Sequence, residues 1–195
     1  PMSAAWGDME LRVLADSNGF IYLMAQKNEE GLFDVYKYNS DGDLETDFGS
    51  NGKVSHSPAM DTCLLSYIEV NSRQELIIVA TCGCSDKGCE DEERFTRMYR
   101  YLPSGKIDRT FGDSGVADGS LGYEPRRIKI DENDDIIVSG STAKRFEEHL
   151  FVAKYSDAGE ELWISDDQEL EEGTEGQSIL IDEDGNIIVA EDTGI

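Results

Sequence analysis

The chain has 195 residues and is strongly acidic, with 42 Asp and Glu against 17 Lys and Arg and a formal net charge of −25. At 38% hydrophobic it carries enough apolar material for a folded core, which excludes a disordered tail. The negative field repels phosphate backbones and anionic membranes, so no nucleic acid is expected as a partner. No apolar run is long enough to cross a bilayer, so no membrane insertion is expected either.

Residues 1–7 lack the charged-then-apolar pattern of a signal peptide, and Pro1 ahead of Met2 reads as a processed or tag-derived end. This segment is expected to lend at most one strand to the last unit. A first unit over about 8–54 opens with alternation through Val13 and Ala15 and turns at Asp16-Ser17-Asn18-Gly19. It continues in the apolar run Phe20-Ile21-Tyr22-Leu23-Met24-Ala25. A third strand follows at 33–38, then the turn Asn39-Ser40-Asp41-Gly42 and the segment Phe48-Gly49-Ser50-Asn51-Gly52.

The pattern returns over about 61–116, with Ile68 and Val70 alternating, a turn at 71–75, and the run Leu76-Ile77-Ile78-Val79-Ala80. Its third strand leads to Phe111-Gly112-Asp113-Ser114-Gly115. A third unit, about 123–165, matches through Ile128, Ile130 and the run at Ile136-Ile137-Val138, but ends in Leu162-Trp163-Ile164-Ser165 without a Phe-Gly segment. A partial fourth unit, about 175–195, supplies Ile179, Ile181 and Ile187-Ile188-Val189-Ala190. The residues that open the turns, Asp16, Asn71, Asp131 and Asp182, mark the repeat. Tyr38, Tyr101 and Tyr155 match in the third strands, each preceded by a cation: Lys37, Arg100, Lys154.

Unbroken apolar runs mark strands covered on both faces, and Asp, Asn and Gly close tight hairpins. Four strand candidates per unit of this length point to propeller blades. The expected fold is all-β and β-propeller-like, a single domain over 8–195 of about 3.5 to 4 four-stranded antiparallel blades. The pattern Tyr-Asn-x-Asp-Gly-x-Leu-x-x-x-Phe-Gly-x-x-Gly resembles the bacterial delta-60 repeat. Asp184-Gly185-Asn186-Ile187-Ile188-Val189-Ala190 is similar to the hairpin of NHL-type propeller repeats. The resemblance implies a propeller-like fold, often in extracellular or surface proteins, and brings no catalytic residues with it.

A half-present fourth unit leaves a geometrical question. The alternatives are a closed four-bladed ring, an open arc, two arcs paired into a larger ring, or a piece of a longer protein. An open arc leaves apolar blade faces exposed, so a homo-oligomer that completes the propeller is among the expected arrangements.

The four cysteines, Cys63, Cys82, Cys84 and Cys89, are local. A hairpin in which Val70 faces Glu75 puts Cys63 directly opposite Cys82, close enough for a cross-strand disulfide. Cys84 and Cys89 are then placed to close a small loop, and an even count argues for an oxidising compartment. Their spacing is not a standard zinc pattern, although a four-thiolate zinc site and free thiols are the alternatives. Secretion or display at the cell surface is the expected localisation.

Catalytic signals are sparse. His56 and His149 fall in connecting segments and read as solvated side chains, and no nucleophile elbow or phosphate loop is present. No cofactor is expected. Calcium is the one candidate, at Asn39-Ser40-Asp41-Gly42-Asp43 and Asp182-Glu183-Asp184-Gly185-Asn186, but the sixth place holds Leu44 or Ile187 instead of glycine, and turn chemistry accounts for both. The longest and least repetitive segments (26–32, 55–62, 81–94, 117–124, 141–149 and 166–176) fall on one side of a propeller. Variable loops on a regular scaffold suit recognition of a protein or glycan partner. The leading expectation is thus a non-enzymatic binding or assembly module. A hydrolase or lyase with acids in a central cleft is the alternative, and an acidic inhibitor of a nucleic-acid-binding protein is the third.

Overall fold

The computed structural model describes residues 11–26, 32–56, 62–83, 94–142, 149–166 and 175–192. Among them there is no helix, and the strands form four antiparallel sheets, none closed on itself. The first sheet holds β1 (Leu11–Ala15), β2 (Ile21–Gln26), β3 (Phe33–Tyr38) and β4 (Lys53–His56) in chain order. The second holds β5 (Thr62–Val70), β6 (Leu76–Gly83), β7 (Phe95–Tyr101) and β8 (Val116–Leu121). The third is β9 (Tyr123–Ile130), β10 (Ile136–Thr142), β11 (Leu150–Tyr155) and β12 (Glu161–Asp166), and the fourth is the pair β13 (Glu175–Ile181) and β14 (Ile187–Asp192).

One turn design recurs at the hairpins. Asp16, Asn71, Asp131 and Asp182 each donate their N–H to the carbonyl four residues on, and accept a bond at their own carbonyl from the residue three on. Their side-chain Oδ1 accepts from the N–H groups two and four residues ahead, at 2.8–3.1 Å. Asn39 repeats this between β3 and Leu44. The fourth turn residue needs positive φ, supplied by Gly19, Gly42 and Gly185 but by Gln74 and Asp134 at the other two.

The turn therefore spans five residues, and Val70 faces Leu76, not the expected Glu75. Cys63 nonetheless faces Cys82, because the register shifts by one between Leu65 and Tyr67. Ser66 is the extra residue of a β-bulge. The same shift occurs at Arg126 in β9 and at Gln177 in β13, each five residues before the turn-opening Asp or Asn. Simple alternation would put Cys63 on the face opposite Ile68. The bulge reverses the parity, and both lie in one core.

The apolar runs are buried on both sides, as their composition requires. Leu76, Ile78 and Ala80 of β6 pack with Tyr22, Met24, Phe33, Val35 and Phe48 of the first sheet. The alternate residues Ile77 and Val79 pack the other way, with Ile128, Ile136, Val138 and Phe151 of the third sheet. Each such Leu, Ile or Val contributes on the order of 1.5–3 kcal/mol by burial. β13 lies against β9 and β10, with Ile179 buried. The four sheets thus stack in sequence, the back of each on the front of the next.

Two expectations change in detail. Residues 117–124, expected as a variable loop, are mostly strand: β8 runs into β9 through Gly122 at φ +84°. The third unit, lacking its Phe-Gly segment, passes from β11 through the turn at 156–160 directly into β12. In the first two sheets the chain instead makes a single bridge, Tyr38 to Leu44 or Tyr101 to Ile107, before looping back.

Candidate functional site

The Phe-Gly segments are docking elements between sheets. Gly49 donates its N–H to the carbonyl of Ser104 at 2.8 Å, and Gly112 donates to Ala158 at 2.9 Å. Both acceptors lie in the turn after the third strand of the following sheet. Phe48 and Phe111 are buried beside these contacts. The opposing turn must also be glycine: a Cβ on Gly105 would stand 2.5 Å from the Gly49 nitrogen, and one on Gly159 would stand 2.6 Å from the Ala117 Cβ. At Gly105 two main chains therefore meet where no side chain fits, and at Gly159 the space is taken by the Ala117 and Phe111 side chains.

The matched cations flank these contacts. Arg100 is buried and donates to Asp108 at 2.7 and 2.8 Å, and to the Asp157 carbonyl and carboxylate of the third sheet at 2.6 and 2.8 Å. Its guanidinium lies 4.7 Å from the Phe111 ring centre. Desolvation pushes the Asp108 carboxyl up, but bonds from Thr110 and Arg100 outweigh it and hold the group below its ordinary range. Ser72 and Arg73 add bonds to Asp134 at 2.7–2.9 Å across the same junction. Lys37 lies over the rings of Phe20, Tyr22 and Phe48, and burial lowers its pKa against the opposing pull of Asp16 and Glu45. Lys154 pairs with Asp131 and Asp135 at 2.8 and 3.0 Å, and these bonds, Asp131 first, raise its pKa.

Cys63 and Cys82 form a disulfide, with Cα atoms 4.1 Å apart. Cys84 and Cys89 lie outside the described residues. So do most of the expected recognition loops: 27–31, 57–61, 84–93, 143–148 and 167–174. His56 is not a solvated loop residue. It lies in β4 between the rings of Phe33 at 4.8 Å and Tyr99 at 4.2 Å, with Nδ1 hydrogen-bonded to the Tyr101 hydroxyl. Burial lowers its pKa to about 4. His149 immediately precedes β11, its N–H bonded to the Thr142 hydroxyl at 3.0 Å. At both calcium candidates the turn-opening oxygen accepts backbone N–H bonds. Among the described residues no three His, Cys, Asp or Glu side chains gather as metal ligands. An open cleft of about 500 Å³ between the second and third sheets is walled by the Arg97–Asp118 pair, bonded at 2.6 and 2.8 Å.

Among the described residues, part of the docking surface is left exposed at the first sheet. Leu14 and Phe20 pack against the core shared with the second sheet, so Leu11, Val13 and Ala15 face the other way, and all three are exposed. Ile21, Leu23, Tyr36 and Tyr38 continue that face half-buried, and Ala25 and Asp34 on it are buried. Its turn carries Gly42 at φ +85°, matching Gly105 and Gly159, but no described residue stands within 4 Å of where its Cβ would be. Matched glycine spacing was legible in the sequence; that it marks contacts between main chains was not, because a turn alone explains each glycine.

No protein-family model matches the chain, and no curated protein matches it.

Proposed function

We propose that this chain is a non-enzymatic assembly module, an open arc of propeller-type blades of the delta-60 kind, whose first sheet receives another protein. The observation that carries this reading is the exposed apolar side of β1, where Leu11 and Val13 are 50% and 68% exposed and, among the described residues, no sheet lies upon them. Exposed aliphatic side chains suit a protein partner better than a glycan. The Cys63–Cys82 bond is compatible with secretion or surface display.

The test is Val13→Asp, measured in dilute solution by urea unfolding. A face reserved for a partner tolerates the charge, and the midpoint stays within about 0.5 kcal/mol of the parent. A loss of several kcal/mol would mean that Val13 is packed inside the folded chain, and the reading would fall.

A further inference from the structure

We propose that Arg127, on the first strand of the third sheet, binds the carboxylate of a small organic acid. The place four residues before each turn-opening Asp or Asn is held by Arg12 in β1, Tyr67 in β5, Arg127 in β9 and Ser178 in β13. The Arg12 guanidinium lies 5.0 Å from the centre of the Tyr67 ring, and that of Arg127 lies 4.4 Å from it. Two positive charges from two different sheets thus share one aromatic ring, in a chain whose net charge is −25. The site is separate from the exposed side of β1 and stands or falls apart from the assembly role.

Two residues further along the same two strands, Lys129 pairs with Glu69 at 2.8 Å. Opposite Arg127 the residue in that role is Tyr67, which carries no charge to answer the guanidinium. Nη1 of Arg127 donates to the Tyr67 hydroxyl and, at 2.7 Å, to the Arg126 carbonyl. Its Nε and Nη2 donate to no described residue, and these two N–H groups form an edge that a carboxylate takes with both oxygens.

Ser139 points to the same ligand independently. It faces Arg127 across β9 and β10, so both side chains leave the sheet on one face, with Cβ atoms about 5 Å apart. Ser139 is fully buried, and its hydroxyl has no partner among the described residues. A buried hydroxyl is costly to leave unpaired, and a carboxylate on the Arg127 edge gives it an oxygen to donate to. Arg127 and Tyr67 are only half-buried, so solvent reaches the outer side of the site. The overall negative field repels polyanions, which favours a small acid over an acidic stretch of another protein.

The experiment is a titration of the full chain with sodium acetate at fixed pH and ionic strength, balanced with sodium chloride. Nuclear magnetic resonance follows the Arg127 Nε–H and the backbone N–H groups of Arg127 and Ser139. Saturable shifts are expected, with a dissociation constant on the order of millimolar. Arg127→Gln, read at Ser139, is expected to weaken binding about tenfold, since it removes a charged two-point contact. Arg127→Lys keeps the charge without the fork and is expected to fall between parent and Arg127→Gln, which decides the matter if Arg127→Gln does not fold. A parent chain without saturable shifts at Arg127 overturns the proposal, as does an Arg127→Gln or Arg127→Lys chain that binds acetate like the parent. An equal response to chloride makes Arg127 an unselective cation and overturns the carboxylate assignment. A tetraglutamate peptide that binds more tightly than acetate overturns the choice of a small acid in favour of an acidic protein segment.

Discussion

At the scale of residues, the junction between sheets is governed by what is missing from Gly105. Gly42 and Gly105 share positive φ, but only Gly105 faces a neighbouring main chain. Gly42→Ala is expected to cost about 1 kcal/mol from left-handed strain alone. Gly105→Ala adds an overlap with the Gly49 nitrogen and should cost roughly 2 kcal/mol more, read by urea unfolding of both variants. His56 supplies a pH test. Its pKa falls from 6.5 in the unfolded chain to about 4 in the fold, so the unfolded state binds the proton first as pH drops. Its contribution of about 3 kcal/mol is complete above about pH 6.5 and is lost as pH falls to about 4. His56→Phe should lack that part of the acid dependence when both chains are unfolded across this window.

At the scale of elements, strand count and burial were legible, and the details of register were not. The unbroken runs at β6 and β10 announced strands covered on both faces, and Leu76, Ile77, Ile78 and Val79 are all buried. The hairpin register differs from the expected one by one residue because Gln74, a non-glycine at positive φ, hides the five-residue turn. The bulge left no signature, since Ser66, Arg126 and Gln177 share no chemistry. Cys63 and Cys82 still stand opposite because the bulge offsets the longer turn. The burial of His56 is not legible in the sequence because its aromatic surroundings come from Phe33, Tyr99 and Tyr101, far apart along the chain. The disulfide closes a separation of 19 residues, so reduction should cost about 3 kcal/mol. Unfolding of Cys63→Ala/Cys82→Ala measures it. An unchanged midpoint would show that the bond adds nothing to a hairpin already closed.

At the scale of the whole molecule, stability is unevenly spread. β6 and β10 are covered on both sides, whereas the fourth sheet has two strands and an exposed back with Leu180 and Ile188. Amide hydrogen exchange in dilute solution should therefore be slowest in β6 and β10 and fastest in β13 and β14, by several powers of ten. Uniform protection would contradict a stack that loosens from its end.

The recurring turn also separates the architecture from the acidity. Asn39 and Asn71 accept the same pair of backbone bonds as Asp16 and Asp182, so a neutral carboxamide does the structural task as well as a carboxylate. The fold therefore does not dictate the charge at these points. Asp16 and Asp182 can be exchanged for Asn to step the molecule's charge downward while its backbone stays fixed. Colloidal behaviour becomes a dial that can be turned without touching the frame.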